Sequence, residues 1–98
     1  MDNSYIAKKF AEEVTSAVMK NGERGIRYVA TQYIFGEKKM FASSLLNKKE
    51  ESKISFINDF VSNVKSVYVN GGQKNVESYL KSCLFVGNIV NPQVELSV

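Results

Sequence analysis

Between Lys48 and Tyr68 the residues Ile54, Ile57, Val61, Val64 and Tyr68 recur every three or four positions, and Phe56, Phe60 and Val67 widen the stripe. That spacing follows the 3.6-residue turn of an α-helix, so the chain needs other elements able to cover one long apolar face. The 98 residues hold enough material for one domain with one modest core. That core is expected over about residues 4–87, with a tail over 88–98.

The segment from about Ser4 to Lys20 sets Ile6, Phe10, Val14, Ala17 and Val18 on one face, mostly opposite Lys8, Lys9, Glu12 and Glu13. It reads as a helix capped by Asn3 or Ser4, braced by Lys8–Glu12 and Lys9–Glu13 pairs, and stopped by Asn21-Gly22. Residues 24–46 admit two readings. Ile26, Val29, Ala30, Tyr33 and Ile34 fit a helical stripe, yet β-branched and aromatic residues are also what strands favour. Neither arm of a hairpin across Gly36-Glu37-Lys38-Lys39 alternates cleanly, so the spacing predicts helices over about 24–35 and 37–46 with a break at Gly36.

Asn47 with Glu50 three residues on approaches a capping box at the start of the long helix, and Asn70-Gly71-Gly72 marks its end. Val76, Tyr79, Leu80, Cys83 and Leu84 carry the helical period through about 74–86. Pro92 forbids a helix continuing through it, and Val94, Leu96 and Val98 alternate with Gln93, Glu95 and Ser97, the pattern of an extended tail. No repeat or low-complexity tract is apparent. The predicted fold class is all-α, a compact bundle of four to five short helices with an extended C-terminal tail; the alternative is α+β with a β-hairpin at about 26–45.

The chain contains no histidine, which removes the usual general base at neutral pH and the commonest metal ligand. Cys83 is the single cysteine and falls on the apolar stripe, so it reads as a core residue and not as a nucleophile. The adjacent pairs Glu12-Glu13 and Glu50-Glu51 point about 100° apart on a helix and read as solvated faces. No metal and no cofactor are expected, and no catalytic residues are proposed. Gly22-Glu23-Arg24-Gly25 resembles the G-x-x-G loop with which KH domains clamp a nucleic-acid backbone. A KH domain sets a strand before its first helix, whereas a helix comes first here, so the four residues read better as a helix stop and restart.

Net charge is +3, a mild excess that favours acidic partners. Its cations gather in mid-chain at Arg24, Arg27, Lys38, Lys39, Lys48, Lys49 and Lys53. On a continuous helix Lys38-Lys39 and Lys48-Lys49 would stand about 15 Å apart, within reach of one acidic surface. Tyr28 and Phe35 lie off the helical stripe, and aromatics in such places suggest a homodimer seam or a partner groove. These nine residues are the candidate partner-binding set. With no signal-peptide pattern and no apolar run long enough to span a bilayer, a cytoplasmic location without a membrane partner is expected.

The functional expectation is a non-enzymatic cytoplasmic binding protein that covers a surface of another protein, most simply an acidic one. Small inhibitors, immunity factors, adaptors and chaperones of the kind carried by phages and plasmids share this composition. The first alternative is a nucleic-acid-binding regulator using the basic patch, and the second a homo-oligomer holding an anionic small ligand at a subunit seam.

Overall fold

The structure, a computed structural model, describes residues 2–92; the alternating segment from Gln93 to Val98 lies outside the described residues. Five helices follow one another: α1 (Asn3–Asn21), α2 (Glu23–Phe35), α3 (Ala42–Leu45), α4 (Glu50–Gly71) and α5 (Gln73–Val86). The described residues contain no strand, so 26–45 forms no hairpin and the all-α reading holds.

The four long helices form two hairpins. α1 turns into α2 at Gly22, and α4 turns into α5 at Gly72; each glycine alone ends one helix and begins the next. Their dihedrals are nearly the same, φ 63° and ψ −143° against φ 72° and ψ −150°. A side chain is strained at such a positive φ, which is why glycine stands at both turns. α1 packs on α2 and α5, and α4 packs on the same two helices, so exchanging the hairpins leaves the pattern of neighbours unchanged. The Glu23–Lys65 ion pair and the Arg27–Asn58 hydrogen bond show that α2 and α4 run antiparallel.

This exchange exposes a repeat hidden in the sequence. Shifting the numbering by 50, from Gly22 to Gly72, superposes buried Ala7 on Ile57, Phe10 on Phe60, Val14 on Val64, Ile26 on Val76, and Ala30 on Leu80. Across the hairpins only Phe10/Phe60, Val14/Val64, Ser16/Ser66, Gly22/Gly72 and Phe35/Phe85 are identical. The burial pattern repeats while the residue types drift, as cores tolerate when volume and pattern are kept.

So abrupt a turn forces its two helices together, and each hairpin makes room with one further glycine. A Cβ on Gly25 would stand 2.6 Å from the Ala17 carbonyl carbon and 2.7 Å from the Ala17 Cβ. In the second hairpin the small residue is on the other helix: Gly71 faces the side chain of Asn75, the counterpart of Gly25.

The core is aromatic at its centre. Phe60, fully buried on α4, lies 5.7 Å from the Phe10 ring of α1, 5.6 Å from Phe41 and 6.4 Å from Tyr79 of α5, and Phe10 in turn meets Tyr33 of α2 edge-on at 5.1 Å. Such edge-on, tilted and stacked pairs add to plain area burial.

Several local expectations are corrected. The helix expected over 37–46 shrinks to Ala42–Leu45, because Lys39 and Phe41 take positive φ of 47° and 61°. Met40 and Phe41 both turn inward there, where Phe41 meets Phe56 and Phe60 edge-on and the Met40 amide donates to the Tyr33 carbonyl. The Asn47/Glu50 capping box does not form; α4 starts after Lys49 with no side-chain cap. Asp2, and not Asn3 or Ser4, caps α1, accepting from the Ser4 amide. Lys9 pairs with Glu12 at 3.9 Å in place of the expected i,i+4 partners, since Glu13 accepts the hydroxyl of Tyr33. Ile54, placed on the core stripe by its spacing, is exposed, and Phe56 and Phe60 take the inward positions.

The chain after α5 folds back on the body. Tyr79 donates its hydroxyl to the Val90 carbonyl at 2.6 Å, and Asn63 donates to the same tyrosine oxygen at 3.0 Å. No helix among the described residues is long and apolar enough to cross a membrane.

Candidate functional site

The glycine turns lie at one end of the bundle. At the other end α1 begins, α2 stops, the 36–49 linker crosses, α4 begins and α5 stops. Most of the uncovered apolar surface collects at this linker end. Of the nine large apolar residues exposed among those described, Tyr5, Phe35, Leu46, Ile54, Phe85 and Val86 lie there; Met19 and Val69 flank the glycine turns and Tyr28 sits midway along α2. Phe85 is 90% exposed and Leu46 78%. The Ser44 hydroxyl donates to the Gly87 carbonyl at 2.8 Å, tying the linker to the end of α5, so Leu46 and Phe85 each fall two residues from that contact. Isolated exposed apolar residues are ordinary; here Phe35 and Ile54 share a depression between α2 and α4, while Leu46, Phe85 and Val86 lie beside the Ser44–Gly87 contact, two separate apolar patches at the same end of the bundle.

The same end is cationic. Residues 36–53 hold five lysines, at 38, 39, 48, 49 and 53, against the glutamates 37, 50 and 51. Glu50 and Glu51 occupy the first turn of α4, where the helix dipole favours carboxylates, so they are there in part for the helix itself. Lys53 is half-buried and lines, with Phe35, Glu50, Ile54 and Ile57, an open depression of about 290 Å³ between the end of α2 and the start of α4.

The fold therefore divides the nine candidates. Phe35, Lys38, Lys39, Lys48, Lys49 and Lys53 belong to the linker end. The 15 Å separation of the lysine pairs has lost its basis, since the helix joining them covers four residues only. Arg24 and Arg27 lie toward the glycine end, on the α2–α4 seam with Glu23 and Val61, and Arg27 donates to the Asn58 side chain at 2.6 Å. Tyr28 stands apart on the outer face of α2, 67% exposed. Leu46, Phe85 and Val86 were not among the candidates. An apolar residue at a helix end carries no periodic signal to say whether it is covered, and only the packed structure decides it.

Two other hollows carry polar side chains. Tyr5, Lys9, Glu12, Glu13, Ser16, Tyr33 and Lys38 line an open depression of about 400 Å³ on α1 and α2. Its charges are matched internally by the Lys9–Glu12 pair and the Tyr33–Glu13 hydrogen bond. Burial, and secondarily Glu13, pushes the Tyr33 hydroxyl well above the ordinary tyrosine range. A second hollow of about 560 Å³ is lined by Val67, Asn75, Ser78, Tyr79, Ser82, Val90 and Asn91 and has no charged group. Burial likewise raises Tyr79 and the buried thiol of Cys83, which keeps that thiol protonated at neutral pH. Among the described residues no three His, Cys, Asp or Glu side chains are grouped to hold a metal ion. No family model, curated protein or solved structure matches the chain.

Proposed function

We propose that this is a non-enzymatic, cytoplasmic binding protein that works by covering a surface of another protein, and that the linker end is the surface it uses. The observation that carries this reading is the coincidence, on one end of the bundle, of the exposed Phe35, Leu46, Ile54, Phe85 and Val86 with the five lysines of residues 36–53. Apolar anchors desolvated at the centre of an interface supply most of its affinity, while charges around them steer the approach and select the partner. Burying a residue as exposed as Phe85 contributes about 2–3 kcal/mol by area alone. The complementary partner is therefore a protein with an apolar depression rimmed by carboxylates. An inhibitor, immunity factor, adaptor or chaperone would each act in this way.

Affinity capture from the native host, with mass spectrometry and then with variants, tests the reading. Leu46→Ala/Phe85→Ala is expected to lower capture of the same partner at least tenfold, and Lys48→Glu/Lys49→Glu to slow its association. Capture unchanged by both double variants would reject the linker end as the site. The nucleic-acid reading asks for a continuous basic face, and the separation of Arg24 and Arg27 from the lysines weighs against it. A gel shift at low ionic strength that fades steeply with salt would favour it instead.

A further inference from the structure

We propose that residues 88–92 form a strap that lifts off the bundle on its own, pivoting after Gly87 while the five helices stay folded, and that this lifting is what uncovers the Cys83 thiol. The root of the strap is fixed. Gly87, left-handed at φ 82°, closes α5. Its amide and that of Asn88 both donate to the Cys83 carbonyl, and its own carbonyl accepts the Ser44 hydroxyl at 2.8 Å. Beyond that root the hold is slight. The Ile89 amide turns to the side chain of its neighbour Asn88, at 2.9 Å, and gives nothing to the helices. Among the described residues, the one member of 89–92 that hydrogen-bonds the helices is Val90, whose carbonyl accepts from Tyr79 Oη at 2.6 Å and from Asn63 Nδ2 at 3.4 Å. Ile89 and Val90 are themselves only half-buried.

The strap and the helices therefore differ in stability. A latch made of a hydroxyl, a carboxamide and one carbonyl exchanges its bonds for bonds to water at little net cost. Lifting a helix would instead expose Phe10, Phe60 or Leu80, all fully buried. Local opening draws on the weaker of the two. What the strap covers follows from the face it crosses. Cys83 is fully buried and stands four residues beyond Tyr79, on the same face of α5. The Val90 backbone lies against both the Tyr79 hydroxyl and the Cys83 thiol. With Asn91, Val90 also forms one wall of the uncharged hollow beside Tyr79 and Ser82, and Cys83 does not line that hollow while the wall is in place.

The device is separate from the partner-binding surface. Ser44 holds Gly87 and not the strap, so Leu46 and Phe85 keep their places when residues 88–92 lift. The thiol changes state while the linker end does not: it is inert beneath the strap and open to solvent, and to any thiol-reactive molecule, once the latch at Val90 parts.

Alkylation of Cys83 by iodoacetamide, followed by intact mass on the full chain at about pH 8, where an exposed thiol is partly ionised, tests this. With reagent slow beside the motion, the labelling rate reads the open fraction. Low urea separates the two routes to the thiol: global unfolding carries the full denaturant dependence, whereas freeing a short strap exposes little surface. The wild-type rate is expected to stay nearly flat until the bundle itself begins to melt. Tyr79→Phe removes the shorter latch bond and Asn63→Ala the other donor, and each is expected to raise the rate about 2- to 12-fold with the flat urea dependence kept. Circular dichroism shows that the variants are folded. Ile26→Val trims the core on α2, which packs on α1 and α4, and lowers global stability by a comparable factor while leaving the labelling rate unaltered. Four results would each overturn the proposal: a rate that climbs steeply from the first addition of urea, one that rises with Ile26→Val as much as with Tyr79→Phe, one indifferent to both latch variants, or a wild-type thiol that already reacts as fast as in the unfolded chain.

Discussion

Replacing Gly25 by alanine sets two effects of opposite sign against each other. On helix propensity alone, Gly25→Ala stabilises α2 by about 0.5–1 kcal/mol, chiefly by reducing the freedom of the unfolded chain. Packing says otherwise. The new methyl would sit 2.6 Å from the Ala17 carbonyl carbon, and ordinary contact between such atoms begins near 3.5 Å, so the helices must part by about 0.9 Å. The obstacle is backbone, which cannot rotate aside, and the one-residue turn at Gly22 prevents α1 and α2 from sliding past each other. Overpacking of this kind costs about 1–3 kcal/mol, leaving a net destabilisation of up to about 2.5 kcal/mol. At this chain length that lowers the melting temperature by up to roughly 20 °C. Gly71→Ala is the control: its methyl meets only the side chain of Asn75, which can move, so the propensity gain survives and stability stays level or rises by about 0.5–1 kcal/mol. Urea titrations of both variants followed by circular dichroism read the difference. If Gly25→Ala stabilises as much as Gly71→Ala, the close approach at Ala17 does not set the geometry of the first hairpin.

Phe60→Ala is expected to cost about 3–5 kcal/mol, a large part of the roughly 5–15 kcal/mol available to a chain of this size, because it empties the centre where α1, α4, α5 and the linker meet. Phe85→Ala should change stability by less than about 0.5 kcal/mol, and equal losses from the two in urea titration would contradict the assigned burial. Stability should also fall on the alkaline side. Burial raises Tyr33, Tyr79 and Cys83 in the folded state, so their protons are kept there while the unfolded chain releases the thiol near pH 8.5–9 and the tyrosines near 10. The stabilisation is complete below those unfolded values and is lost as pH climbs through the raised ones. The urea midpoint should thus decline above about pH 9, and Tyr79→Phe should flatten that decline; an unaltered slope would exclude Tyr79 as a contributor.

The long helices were legible because each carries a strong apolar period and ends at a glycine: Asn21-Gly22, Gly36, Asn70-Gly71-Gly72 and Gly87 stand within a residue of the observed ends. The linker was not. The residues that break the helix there, Lys39 and Phe41, take left-handed backbone, and a lysine and a phenylalanine have no local preference for that conformation. The edge-on packing of Phe41 against Phe56 and Phe60 is a tertiary contact, invisible in the local pattern. The candidate site was half legible for the same reason. Runs of lysine announce themselves, whereas the exposure of Leu46 and Phe85 depends on what the rest of the chain leaves uncovered.

The paired single-glycine turns have a consequence for how the chain can be wired. Because the two hairpins occupy equivalent places, the bundle is indifferent to which is read first. The start of α1 and the end of α5 lie at the same end as the linker that joins α2 to α4. A circular permutant opened near Asn47 and rejoined by a short flexible segment between Pro92 and Asn3 would present α4, α5, α1 and α2 in that order and keep every helix pairing of the parent. Connectivity is incidental to this architecture; its invariant unit is one helical hairpin bent at one glycine.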